Sequence, residues 1–293
     1  MRIHGVSPWQ FLKELQGKIS RDNVFNGAAA LGFYLTLAIF PAAILTMTLI
    51  PYLPIQNVDR AMLDLIGQAL PQDAAQMFTG IVQEITGEQR GGLLSTGLLA
   101  TVWATSTGMY AIMQQLNITY EVEEARGFLR ARAVAIGLSL LFSAMLLVSF
   151  SLIVLGGIVQ DWLVARFGFG DAVMTFFATL RWVIIVLSLM LAFSLTYYLA
   201  PNVHGQKFRF VTIGGVLATA LLLVASVGFA IYVQNFADYS AVYGGIGAVV
   251  ALMLWLYIAG LAMLVGSEVN VLVEHHTAGA KRLGERAPGV PAT

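Results

Sequence analysis

Glu268 and Asn270 are the residues of this chain best placed to do chemistry, because they follow a run, 245–265, that carries no charge at all. A carboxylate beside such a run is costly unless it is solvated or paired, and residues of this kind mark ion or proton paths through membrane proteins. A cation from 126–132 (Arg126, Arg130 or Arg132) is the expected partner of Glu268. Other polar residues fall at the ends of apolar runs: Asp22 and Asn26 before the first, Asn117, Tyr120 and Glu123 after the second, and Asn202 after the fourth. If these ends share one side of a membrane, they form a polar vestibule that receives a headgroup or an ion, with Tyr34, Trp103 and Ser106 deeper in. The competing reading is that the same side chains cap helix ends and bond loop backbone at the interface. Arg181 stands next to Trp182 and reads as an interfacial anchor. Glu274, His275 and His276 are contiguous, so they do not share a helix face, and no metal site is expected. Tyr232, Tyr239 and Tyr243 read as an aromatic belt.

The elements that must carry these residues follow from composition. Of 293 residues, 58% are hydrophobic and only 11% charged, against about a quarter charged in soluble domains. The chain reads as an all-α, polytopic membrane protein. A formal net charge of zero argues against nucleic acid as a partner, since such proteins carry a basic surplus. Membrane lipids are the expected surroundings. There is no cysteine, so disulfides and thiolate metal sites are excluded. The first apolar run begins too late and lasts too long for a cleaved signal peptide.

Six spans are expected, at about 28–50, 92–116, 133–159, 181–200, 210–233 and 243–265. A surface helix over 7–20 precedes them, with Ser7 and Pro8 as cap and first turn. Its apolar stripe holds Phe11, Leu12, Leu15 and Ile19, with Lys13, Glu14 and Lys18 on the other side. Residues 57–88 read as two amphipathic helices, too polar to span, that form a small cap between the first two spans. Residues 172–180 read as interfacial. Pro41 kinks the first span and faces the bundle, while Gly244 and Ala248 give the sixth a smooth packing face. Residues 1–274 form one transmembrane domain, and 275–293 form a tail rich in Gly, Pro and charge that is expected to be disordered. Of the 16 Lys and Arg, only Arg60, Arg90, Arg166 and Arg181 fall on the side away from the termini. The positive-inside rule then places both termini in the cytoplasm and the cap outside, open to an envelope protein partner.

Five stretches resemble the YihY/BrkB family of bacterial inner-membrane proteins. They are Ala30-Leu31-Gly32-Phe33-Tyr34 through Phe40-Pro41; Trp103-Ala104-Thr105-Ser106 through Leu116-Asn117-Ile118-Thr119-Tyr120; Tyr198-Leu199-Ala200-Pro201-Asn202; Tyr232-Val233, Tyr239 and Tyr243-Gly244; and Leu254-Trp255-Leu256-Tyr257 through Gly266-Ser267-Glu268-Val269-Asn270. Ala38 and Leu199 depart from the family pattern, in which a serine and an arginine are common. The resemblance implies an inner-membrane location. It also implies links to envelope lipid export, serum resistance and cation exchange, an older ribonuclease assignment of the family being regarded as mistaken.

No nucleophile elbow, phosphate loop or His and carboxylate cluster with metal spacing is present, so no enzyme and no cofactor is expected. A transporter or flippase for a lipid or lipid-linked envelope precursor is the first reading. A cation/proton antiporter is the second, and a non-transporting envelope scaffold the third.

Overall fold

In a computed structural model, the residues described are 7–49, 91–145, 166, 171–203, 208–235 and 245–276. The cap 57–88, Gly244 and the tail 277–293 lie outside them, as do the side chains of Pro41 and Ala248, which stand within helices.

Every regular element among the described residues is helical: α1 (Pro8–Arg21), α2 (Val24–Leu49), α3 (Gly91–Thr119), α4 (Phe128–Met145), α5 (Asp171–Leu199), α6 (Ile213–Asn235) and α7 (Gly245–His275). Four helical stretches among the described residues are long and apolar enough to cross a membrane, namely Phe128–Met145, Thr175–Leu199, Ile213–Val233 and Val249–His275, and Val24–Ile39 adds a shorter apolar one. The protein is therefore a membrane protein, all-α among the described residues, with several helices long and apolar enough to cross the bilayer.

The helices begin and end for local reasons. Ser7 Oγ accepts the Gln10 backbone N–H at 3.2 Å, and Gln10 Oε1 accepts the Ser7 N–H at 3.0 Å. This capping box, with Pro8 in the first turn, starts α1. Thr212 Oγ1 accepts the Gly215 N–H at 3.0 Å and starts α6 in the same manner. Nothing between 172 and 181 breaks a helix, so the segment read as interfacial is the beginning of α5. Likewise α7 does not stop near 265 but continues to His275, which puts Glu268 and Asn270 inside the helix rather than at its end.

The chain packs as two compact units. The first comprises Met1–Val24, Met113–Leu221 and Ala262–Thr293, and its core holds Met113, Leu116, Tyr120, Tyr197, Leu264 and Val271. Tyr197 donates its hydroxyl to the Met263 carbonyl at 2.7 Å, joining α5 to α7. The second unit comprises Phe25–Ile112 and Leu222–Leu261. Here α7 meets α2 through Gly260, where a Cβ would stand 3.2 Å from the Leu31 Cβ. A small residue at that point lets the two backbones approach.

Candidate functional site

The site forms where α1, the chain after α3 and the last turns of α7 meet within the first unit. Glu268 has no exposed surface and Lys18 only 7%. Lys18 Nζ lies 2.7 Å from Glu121 Oε1, 3.6 Å from Asp22 Oδ2 and 3.6 Å from Glu268 Oε2. An ammonium ringed by three carboxylates thus occupies the centre. Arg21 adds a second cation from the exposed rim, with Nε 3.1 Å from Asp22 Oδ1 and its terminal nitrogen on Glu121. Asp22 in turn holds the Arg21 guanidinium above its ordinary pKa, first through this hydrogen bond.

Glu121 reaches Lys18 because of an unusual backbone. The Glu121 N–H bonds the Ile118 carbonyl and the Val122 N–H bonds the Asn117 carbonyl, at 3.0 and 2.9 Å, which closes α3 with a Schellman turn. The turn requires the left-handed region, and Glu121 adopts φ 55° at a position where glycine is the usual residue. The chain accepts that backbone conformation with a side chain that bonds the buried lysine. Burial alone would raise the Glu121 pKa, but the hydrogen bond and charge of Lys18, followed by Arg21 and His275, outweigh it and hold the carboxyl below its ordinary value.

Glu268 lacks what Glu121 has. Neither of its carboxylate oxygens makes a hydrogen bond, and the same is true of Asp22 Oδ2. Lys18, at 3.6 Å, is an ion-pair partner only. The cation beside Glu268 therefore comes from α1 and not from the arginines after α3. Arg126 is bound instead to Glu124, with Nε 2.6 Å from Oε1, and to the Ala200 carbonyl at 2.8 Å. Burial alone would raise the Glu124 pKa, but these bonds and one from Asn117 hold it below its ordinary value.

The other candidates separate into groups. Asn117 Oδ1 accepts the Asn202 backbone N–H at 2.8 Å, and its Nδ2 donates to Glu124 Oε2 at 3.0 Å. Asn202 Nδ2 donates to the Glu123 carbonyl at 3.1 Å, while the Glu123 residue is exposed. Asn270 Oδ1 accepts the Gly214 N–H at 2.7 Å and its Nδ2 donates to Thr212 Oγ1 at 3.2 Å, so it serves the start of α6. Tyr120 is buried in the core of the first unit. Asn26, Tyr34, Trp103 and Ser106 belong to the second unit. Asn26, Tyr34 and Trp103 are exposed there, and Ser106 is buried with its hydroxyl donated to the Trp103 carbonyl of its own helix.

Lys18 and Glu121 escape a reading of the sequence. Lys18 shares a helix face with Lys13 and Glu14, which looks solvated, and Glu121 stands where no glycine announces a left-handed turn. The available signal is the spacing of Lys18, Arg21 and Asp22, one turn of helix that ends in a carboxylate just before an apolar run. Among the described residues, no set of three or more His, Cys, Asp and Glu side chains is arranged to hold a metal ion.

The sequence profile of the family described as Virulence factor BrkB matches residues 15–289. The chain belongs to that family. It is 36% identical over 263 residues to YfkH of Bacillus subtilis (strain 168), which carries a ribonuclease-like name, with 90% of this chain and 94% of the relative covered. It is 27% identical over 272 residues to a UPF0761 membrane protein of Alkalilimnicola ehrlichii, covering 90% of this chain and 60% of that one. A UPF0761 membrane protein of Idiomarina loihiensis is 24% identical, with 91% of each chain covered. No solved structure matches the chain.

Proposed function

We propose that the protein is a transporter of the bacterial inner membrane, with six spans, both termini in the cytoplasm and Glu268 at the cytoplasmic end of the transport path. One observation carries this reading: a glutamate without exposed surface, in a helix apolar and long enough to span, with neither oxygen hydrogen-bonded. Burying such a group costs several kcal/mol, of order ~3 by insertion scales, which a passive scaffold gains nothing from. Within the vestibule, Glu268 and Asp22 are the residues that meet cargo or its coupling ion, and Asn117, Asn202 and Asn270 hold the helix ends around them. The cargo is a lipid or lipid-linked envelope precursor, the class that the family resemblance implies. The ribonuclease-like name of the Bacillus relative is not carried over, because a formal net charge of zero offers no basic surplus for RNA.

Cation/proton exchange is the second reading, and Lys18 favours it: a tethered ammonium held by three carboxylates stands where a mobile cation would be held. Reconstitution into vesicles separates the two. Reporter lipids in one assay and a pH dye under cation gradients in the other read the two cargoes, and Glu268→Gln abolishes whichever activity is present. Intact protein that moves neither cargo overturns transport and leaves an envelope scaffold.

A further inference from the structure

Charge does not balance around Glu268. Lys18 and Arg21 face three carboxylates, those of Asp22, Glu121 and Glu268. Arg21 does not correct this, because it is taken up by Asp22 Oδ1 and Glu121 and remains largely exposed. Lys18 gives its one short contact to Glu121 and stands off from the other two. His275 acts on Glu121, whereas Lys18 and Asp22 are the charged groups that act on Glu268. The oxygens left over are Asp22 Oδ2 and both of Glu268, all buried and all without a hydrogen bond. Asp22 Oδ2 and Glu268 Oε2 each stand 3.6 Å from the one Lys18 ammonium, so the two carboxylates share a cation between them. Two carboxylates that face each other away from water cannot both stay ionised at acceptable cost, and one proton between them supplies the missing donor.

We propose that Glu268 and Asp22 form a proton-binding site that holds one proton at neutral pH, carried on Glu268 and donated to Asp22 Oδ2. The proton comes from water and returns to it; only an O–H bond forms and breaks. The residual charge of the cluster is then zero, with Lys18 paired to Glu121 and Arg21 to Asp22. Half of this site belongs to α1, since Asp22 is its C-terminal cap and Lys18 lies one turn earlier, while Glu268 belongs to α7. That the proton is exchanged during a transport cycle rests on the transport reading above; that it is bound does not.

Infrared spectroscopy of the full chain in lipid nanodiscs tests the binding without any transport assay. At neutral pH the wild type is expected to show a protonated-carboxyl stretch that Glu268→Gln removes, that Glu124→Gln, outside the cluster, leaves in place, and that Asp22→Asn shifts or removes, because the acceptor has become an amide and the second carboxylate is gone. A protonated-carboxyl region identical in wild type and Glu268→Gln means that Glu268 is ionised, and overturns the proposal. Should Glu268→Gln fail to assemble, Asp22→Asn reads the same proton, and an unshifted band overturns the pairing. A bound proton in a protein that moves no cargo would refute the transport reading and leave this one standing.

Discussion

The Gly214 backbone N–H donates to Asn270 Oδ1 at 2.7 Å, where a Cβ on Gly214 would run into the carbonyl oxygen of Gly266. The two helices are so close there that α7 supplies a cap for α6 from its side chain. Asn270→Ala removes that cap and is expected to cost about 0.5–2 kcal/mol, as other caps do. Gly214→Ala is expected to be far worse, because the obstacle is backbone and has no rotamer to give way. Thermal unfolding in detergent would rank the two, and a Gly214→Ala protein as stable as Asn270→Ala would refute this packing.

Lys18 is expected to be the costliest single charge to remove. Its loss leaves Glu121, Asp22 and Glu268 facing one another, and breaking a buried pair from one side costs about 3–5 kcal/mol. Lys18→Met should therefore release α1 and lower the melting temperature, and an unchanged melting curve would show that Lys18 is not seated among the carboxylates.

The pH dependence of stability follows from Glu121. Its folded pKa lies below the ordinary value of 4.5, so its contribution is fully present above about 4.5 and is lost as pH falls through the lower folded value. Unfolding measured across that acid range should become less steep with pH in Glu121→Gln. An identical slope in the variant would mean that Lys18 does not stabilise the ionised carboxylate.

Asn117 joins two chain segments with both ends of its amide. Asn117→Ala leaves the Asn202 N–H without its acceptor in a buried setting and is expected to cost about 1–3 kcal/mol. Asn117→Asp keeps the acceptor but sets a second carboxylate against Glu124, so it should also destabilise, and less so on acidification. A neutral effect of both would rule out the bridge.

The proposed orientation can be checked on intact cells, because the chain has no cysteine of its own. A single cysteine at Ser7 should be protected from a membrane-impermeant thiol reagent, whereas one placed within 57–88 should be labelled. The reverse pattern would turn the molecule over and place Glu268 at the outer end of its helix.

What the amino-acid sequence determines by itself is the class of the protein and which stretches are apolar enough to cross a membrane. Hydropathy adds up along a segment, so a run such as 245–265 declares itself wherever it lies in the fold, and the resemblance carried by Glu268 and Asn270 marks the place worth inspecting. The tertiary structure decided what those residues do. Lys18 and Glu121 are 103 residues apart in the chain, and nothing local to either announces the other. The same holds for Asn117 with Asn202 and for Asn270 with Gly214, whose amides serve the ends of other helices. A charge's partner depends on where helix ends meet in space, and a hydrogen bond on tenths of an ångström. A single sequence contains neither, so Glu268 was visible from the start, while its lysine and its unpaired oxygens became visible only when α1 was seen packed against α7.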